Sequence, residues 1–439
     1  MGHVSAKDAY ESLQQRLDRF PMGAPGRETI RAILRTVWRE DEAELGSKLR
    51  FRLESPGAIS RRTGIPKEEL VPRLRDMADR GLVFDVTVRG RTGYMLTPTV
   101  VGFFEFSMMR VRDDLDQAAL AKLYHRYMLE EGDFTGQFRP GTTTMPFRTL
   151  FHEEALPDPL PDTYSEILDW ERASRLVAEA DRFAVGLCHC RHVAHHNGHD
   201  CRVFRMESCL TLGTSVDYVV RHGFAREVSR EEARDLLAET RDAGMVHIAD
   251  NVKRNVAFIC NCCGCCCEVL GSFRRLDGAV RAISSNFAAA VSAHACTGCR
   301  RCEKACPVGA ITMAEAPRVV AGRRRRFLAT VAADACLGCG VCALACPDHA
   351  LTLTPRPRRH FTPDGVVSRV LTMAIEQGKL AELLLDPDDG LTARMAGLLV
   401  SAILRLPPAK QLLARESLRS RFVDALLSGA RRAGAPADR

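Results

Sequence analysis

Apolar residues recur at helical spacing through the first hundred positions. Ile30, Ile33, Leu34 and Val37 form one stripe, Ser55-Pro56 starts a helix running through Arg62, and Thr63-Gly64-Ile65-Pro66 turns into a third helix that ends at Gly81. The period then changes. Positions 82–88 and 94–96 flank Arg89-Gly90-Arg91-Thr92-Gly93, which reads as a hairpin with a basic tip. Helix, turn, helix and wing in that order predict a winged-helix-like region over 1–100, followed by a linker and packing segment over 101–160. From 161 the pattern is α/β. Asp162 or Thr163 caps a helix carrying Ile167, Leu168, Leu176, Val177 and Ala180, and 183–187 reads as a buried strand. Ser229-Arg230-Glu231-Glu232 is a capping box for a helix to Ala243, closed by Gly244, with strands at 245–248 and 256–259. Beyond Arg356 the chain turns basic and helical, with a stripe of Val367, Val370, Leu371, Ala374 and Ile375. Pro407-Pro408 separates two helical segments and 434–439 is a disordered tail.

Composition adds two constraints. A surplus of +7 on 439 residues says little about partners, but 18 cysteines, many adjacent, cannot be a disulfide framework. Thiols at that density persist in a reducing compartment, so a cytoplasmic location is expected. The start lacks a charged segment followed by an apolar core. The apolar stretch 395–404, bounded by Arg394 and Arg405, is about half the length of a membrane span, so no transmembrane anchor is expected.

The cysteines carry the chemistry. Cys296-x-x-Cys299-x-x-Cys302-x-x-x-Cys306-Pro307 recurs as Cys336-x-x-Cys339-x-x-Cys342-x-x-x-Cys346-Pro347, within matching surroundings that mark an internal duplication. Three thiolates spaced by two residues wrap one cluster, and the fourth, ahead of proline, ligates the neighbouring one. Two [4Fe-4S] clusters follow: Cys296, Cys299 and Cys302 with Cys346, and Cys336, Cys339 and Cys342 with Cys306. The region 284–355 resembles the bacterial two-cluster ferredoxins. Zinc is the bland alternative, and a doubled four-cysteine run before proline fits it less well. The connector is longer than in small ferredoxins, and Val319, Val320, Phe327, Leu328 and Val331 predict a hairpin with Arg323, Arg324, Arg325 and Arg326 at or near its tip. Those arginines are either a solvated loop or a docking patch for an acidic redox partner.

Ten further cysteines lie within 161–283: Cys188, Cys190, Cys201, Cys209, Cys260, Cys262, Cys263, Cys265, Cys266 and Cys267. In an extended chain Cys188 and Cys190 project to one face and can chelate together. Six thiols in eight residues cannot all face one centre, because adjacent side chains diverge. The set can supply one or two more Fe-S clusters. Its rivals are a Cys/His zinc site that draws on His189, His192, His195, His196 and His199, with a solvated His-rich loop as the plainer fate of the last three, and a dithiol relay through Cys262, Cys263, Cys265 and Cys266.

The segments Cys188-His189-Cys190-Arg191, Cys209-Leu210, Gly244-Met245-Val246-His247 and Asn261 through Cys267, placed ahead of the two ferredoxin motifs, resemble a group of bacterial and archaeal multi-cluster 4Fe-4S binding proteins. That resemblance implies cluster binding and electron transfer and supplies no substrate. The expected architecture is α+β multidomain: a winged-helix-like region, a cysteine-rich α/β domain at 161–283, a dicluster ferredoxin domain at 284–355 and a helical region at 356–439. The expected function is relay of single electrons between redox partner proteins such as a flavoprotein or reductase. Arg300 and Arg301 stand where the second motif has Gly340 and Val341, which favours a higher potential for the first cluster when both are similarly buried. Two alternatives belong to other classes. A redox-sensing regulator would use Lys67, Arg73, Arg75, Arg80, Arg89 and Arg91 on DNA, against the opposing charge of Glu68, Glu69, Asp76 and Asp79. A reductase would act at the cysteine-rich centre. No Walker loop, dinucleotide fingerprint, nucleophile elbow or paired-carboxylate arrangement is present.

Overall fold

A computed structural model describes residues 8–138, 144–159, 171–275, 283–320, 322–357 and 359–385, with Met395. The described residues fall into two compact units. One holds the chain up to Ser107 together with the part from Phe361 onward, and the other is Met108–His360. Asp162, Thr163, Ile167, Leu168, Pro407, Pro408, the tail 434–439 and all of 395–404 but Met395 lie outside the described residues.

In the first unit, helices Ala9–Asp18, Glu28–Val37, Glu40–Lys48, Pro56–Thr63 and Lys67–Asp79 precede a hairpin of β1 (Val83–Val88) and β2 (Arg91–Leu96). The stripe of Ile30, Ile33, Leu34 and Val37 is buried, as are Leu13, Leu17 and Trp38. Ser55 caps Pro56–Thr63 by accepting from the Ala58 amide, proline occupies the first turn, and Gly64 ends the helix with φ +76°. The hairpin tip is tighter than the sequence suggests. Arg89 and Gly90 both take positive φ, which matches the twist of a two-residue turn, so Arg91, Thr92 and Gly93 join β2. The returning chain forms helices Val366–Gln377 and Leu380–Leu384, where Leu371, Ala374, Ile375 and Leu380 cluster; Val367, expected in that stripe, is exposed. Lys379 Nζ donates to Asp18 O at 2.6 Å.

The second unit is built on a seven-stranded sheet. Its strands are β3 (Phe147–Leu150), β4 (Phe183–Leu187), β5 (Glu207–Leu212), β6 (Ala225–Val228), β7 (Val246–Asp250), β8 (Phe258–Cys262) and β9 (Ile283–Ser284), in the order β6-β4-β5-β8-β7-β3-β9. The pairings are antiparallel apart from β3 with β9. The segment 101–160, expected as linker and packing, therefore contributes a strand, and all four of its residues are buried. Val185, Leu210, Leu212, Ala249 and Ile259 pack with Val177, Leu236 and Leu237 from helices Ala173–Glu179 and Arg230–Asp242. Ser229 caps the latter by accepting from the Glu232 amide at 3.1 Å.

The extended reading of Cys188 and Cys190 is corrected. The strand stops at Leu187, Cys188 sits at the N-cap, and His189–His196 is a helix rather than a loop, with His189, Arg191, His192 and Val193 buried. The apolar positions available for burial favour helical packing there over a solvated turn.

Strand β10 (Phe287–Val291) pairs antiparallel with β13 (Leu351–Pro355), and β11 (Ile311–Val320) pairs with β12 (Arg323–Val331) in a long hairpin. The duplicated halves show in the short helices Arg301–Ala305 and Val341–Leu344. Each Cys-x-Gly-Cys turn needs its glycine, since Gly298 and Gly338 have φ of +73° and +65°. A Cβ on Gly338 would stand 2.1 Å from Ser285 Oγ and 2.3 Å from Phe287 O, whereas Gly64, also at positive φ, has open space around it. Gly338→Ala should therefore lose about 2–4 kcal/mol of unfolding free energy and Gly64→Ala only about 1 kcal/mol, measured by anaerobic denaturant unfolding. Equal losses would show that the crowding at Gly338 is relieved by movement.

Candidate metal centres

Cysteines of the two duplicated motifs come together across the halves. One void is lined by Cys306, Cys336, Cys339 and Cys342 together with Ala289, Ile311 and Leu353. Burial first, and then the nearby Cys336 and Cys306, push the Cys339 thiol up to about 12. Burial likewise raises Cys302, whose neighbouring thiols are Cys296 and Cys346. The void thus brings three cysteines of the second motif together with Cys306 of the first, and Cys346 of the second motif stands near Cys296 and Cys302 of the first.

The walls suit sulfur-rich anions. Backbone amides of Ala289 and Gly338 donate to Cys336 Sγ at 3.4 Å, Ala310 to Cys306 Sγ at 3.2 Å, and Ala350 to Cys346 Sγ at 3.3 Å. These fixed donors stabilise negative charge on sulfur, and the apolar shell of Phe287, Ile311, Leu351 and Leu353 excludes water. A pair of arginines repeats across the halves without any motif to signal it. Arg318 donates to Cys296 O at 2.7 Å, and Arg356 donates to Cys336 O and, at 3.0 Å, to Ser285 O. Arg300 lies 4.8 Å from the Phe327 ring centroid and half exposed, and its nearest carboxylate, Glu303, is at 4.0 Å. Of the connector arginines, Arg326 pairs with Glu315 at 2.6 Å on the surface.

The other ten thiols sort into two neighbourhoods. Cys188, Cys190, Cys209, Cys260, Cys262 and Cys267 form a hydrogen-bonded array. Cys190 is hydrogen-bonded with Cys188 and Cys267, Cys262 with Cys260 and Cys267, and Cys209 with Cys260. Local structure explains the gathering. Cys260 and Cys262 share one face of β8, Cys209 is the cross-strand partner of Cys260, and Cys188 and Cys267 stand at the N-terminal ends of helices His189–His196 and Glu268–Arg275. Amides at a helix start favour thiolate. Accordingly Cys267 is held well below the ordinary thiol range, by Cys190 and Cys262 first and then by the amides of Leu270 and Val269. Cys260 falls to about 5, by its bonds with Cys209 and Cys262, while Cys190 and Cys262 are pushed up.

Cys201, Cys263, Cys265 and Cys266 make the other neighbourhood, with all four Sγ atoms within 4.8 Å of one another. The crowding of 260–267 is thereby divided. Residues on β8 and at the helix start face one way, and those on the turn 263–266 face Cys201. Among the histidines, His192 Nδ1 bonds Met108 O at 2.7 Å, His196 Nε2 bonds His192 Nε2 at 3.1 Å, and His195 pairs with Asp200. His189 faces Glu268 at 3.2 Å. None of these four joins the tight thiol group.

Arg191 lies between the two neighbourhoods. Its buried guanidinium bonds Ser208 Oγ and Asn261 O and has Cys188 on one side and Cys201 and Cys263 on the other. Burial opposes its charge, yet its pKa is raised because those thiols favour the cation.

A cleft of about 1030 Å³ brings the turn 263–266 against the ferredoxin motifs. It is lined by Cys263, Gly264, Cys265, Lys304, Cys306 and Pro307, among others. A Cβ on Gly264 would lie 3.3 Å from Pro307 Cα. Arg274 clamps the contact by donating to Gly264 O and, at 2.8 Å, to Pro307 O.

The family model of the 4Fe-4S dicluster domain matches residues 295–359. No curated protein and no solved structure matches the chain. Residues 295–359 are a 4Fe-4S dicluster domain, preceded by a cysteine-rich region. Among the described residues no helix is long and apolar enough to cross a membrane.

Removing Arg191 leaves two thiol groups without their shared cation, so Arg191→Met should cost about 3–5 kcal/mol. Arg191→Lys should recover part of it. Anaerobic unfolding of the three proteins checks both, and an unchanged midpoint for Arg191→Met would show that the cation is dispensable.

Proposed function

We propose that the chain is an iron-sulfur electron-transfer protein that relays single electrons between redox partner proteins through the dicluster domain and at least one further centre in the cysteine-rich region. The observation that carries this reading is the clamped contact between Gly264 and Pro307. It joins the turn that bears Cys263 and Cys265 to the residue next to Cys306, so both thiol-rich regions border one cleft. Cys296, Cys299, Cys302 and Cys346 would hold one [4Fe-4S] cluster, and Cys336, Cys339, Cys342 and Cys306 the other; the donor set of thiols, aimed amides and apolar walls fits the group. The array of Cys188, Cys190, Cys209, Cys260, Cys262 and Cys267 has more ligands than a third cluster needs. When bound, such clusters supply one-electron chemistry. The chain supplies burial, amide donors to sulfur, and the cations Arg191, Arg318 and Arg356.

Two measurements of the metal centres test the reading. Anaerobically reconstituted protein should contain more iron than the roughly eight atoms of two [4Fe-4S] clusters. Iron confined to that level would remove the third cluster. Cys306→Ala should perturb the cluster of Cys336, Cys339 and Cys342 and spare that of Cys296, as read by EPR of the reduced protein; selective loss of the Cys296 signal would contradict the crossed ligand sets.

The regulator alternative is weakened by the first unit's own ion pairs. Arg73 is engaged by Asp41 and Glu69, and buried Arg80 by Glu42 and Asp76. Lys67 and Arg75 remain on an exposed face shared with Glu68, Asp76 and Asp79. No DNA site should be selected at physiological salt. Retention of a defined fragment that responds to cluster oxidation and is lost in Arg89→Glu/Arg91→Glu would make the protein a redox-sensing regulator.

A further inference from the structure

The two thiol neighbourhoods of the cysteine-rich region differ in geometry, and the difference selects the metal. In the tighter one, Cys201 Sγ stands 3.7 Å from Cys263 Sγ and 3.8 Å from Cys265 Sγ, and Cys265 Sγ stands 3.4 Å from Cys266 Sγ. Four thiolates sharing one tetrahedral ion at about 2.3 Å lie about 3.8 Å apart along each edge. Four thiolates on a [4Fe-4S] cube each bind their own iron at a separate corner, which spreads the sulfurs beyond the reach of one ion. The protein provides its own comparison. Among the described residues, no other group of three or more cysteines, histidines or carboxylates draws its ligand atoms so close, and neither ferredoxin set does.

Connectivity and charge agree with this. Three ligands come from one turn after β8, Cys263-Gly264-Cys265-Cys266, and the fourth comes from the irregular chain ahead of β5, 62 residues earlier in the sequence than Cys263. A single ion there would tie that chain to the turn, which is what closed four-cysteine structural sites do. Four thiolates on a divalent ion leave two negative charges. Arg191 meets them at Cys201 and Cys263, and Lys304, Arg241 and Arg274 line the adjoining cleft. No histidine or carboxylate belongs to the group. All-thiolate tetrahedral sites favour zinc over divalent iron.

We infer that Cys201, Cys263, Cys265 and Cys266 hold one tetrahedral zinc ion, separate from the iron-sulfur centres, which fixes the wall of the cleft that faces Pro307. This stands independently of the electron-transfer reading, since it requires only that the four thiols share an ion.

The test uses the full chain, purified anaerobically with its iron reconstituted, and zinc and iron are counted per chain by plasma mass spectrometry. Wild type should carry about one zinc. Cys265→Ser, at the exposed ligand, should lower zinc to near none with iron unchanged. Cobalt supplied in place of zinc should give the intense visible bands of a tetrahedral four-thiolate site and lose them in Cys265→Ser. If Cys265→Ser sheds both metals through misfolding, the wild-type zinc count and the cobalt spectrum decide. Zinc-free wild type, a rubredoxin-type single iron, or a loss of about four irons with no loss of zinc in Cys265→Ser overturns the assignment. Failure of the electron-transfer reading would appear elsewhere, as intact metal content without reversible one-electron reduction.

Discussion

Thiolate charge in a dry interior is the constraint on which the second unit depends. A buried anion is costly unless donors or cations reach it, and this chain brings sulfur inside at four places. It answers in different ways. The ferredoxin sets receive backbone amides, Ala289 from β10 and Gly338, Ala310 and Ala350 from the chain around the Cys-x-Gly-Cys and Cys-Pro turns. The array around Cys260 and Cys267 shares protons among neighbouring thiols and draws on helix starts. The group around Cys263 draws on Cys266 first and then on Arg191. Ligand thiols must lose their protons to bind metal, so any metal taken up at these places would be linked to proton release.

The sheet exists in service of that arrangement. Strand β8 carries Cys260 and Cys262 at its end, β5 sets Cys209 opposite Cys260, and the turn after β8 reaches Pro307 of the ferredoxin half. His152 makes a second bond between the two parts, donating its backbone amide to Cys339 O at 3.0 Å while its ring meets Met245 O at 2.8 Å at the start of β7. A shift of β7 or β8 would therefore be felt at the ferredoxin set that holds Cys306 and Cys339, which both contacts reach.

How much of this was legible in the sequence depends on the range of the interaction. Repeated cysteine spacing marks the dicluster domain because its ligands are mostly local, and Ser229 and Gly244 mark helix ends because capping is local too. The crowded run 260–267 signalled that its thiols must divide. The partition into two neighbourhoods needed the position of Cys201, which arrives from a distant loop. Arg191 had a weak signal in its place beside Cys190. Arg274, Arg318 and Arg356 had none, since each acts on a carbonyl far away in sequence. The helix at His189–His196 was missed because alternation of Cys188 and Cys190 imitates a strand, while burial of Val193 and His192 settles a helix.

The positions of the cations carry the last step. Arg318 and Arg356 contact carbonyls of the first cysteine in each motif, so they act on the two ferredoxin sets in nearly the same way. The sequence difference that suggested unequal potentials, Arg300 and Arg301 against Gly340 and Val341, is moderated because Arg300 is half exposed with Glu303 beside it. Solvent screens a charge placed there far more than one in the interior. The stronger asymmetry lies in burial: Cys299 is exposed, while Cys339, its counterpart, is buried. Water near a cluster favours its more negatively charged, reduced state, so exposure and Arg300 act in the same direction.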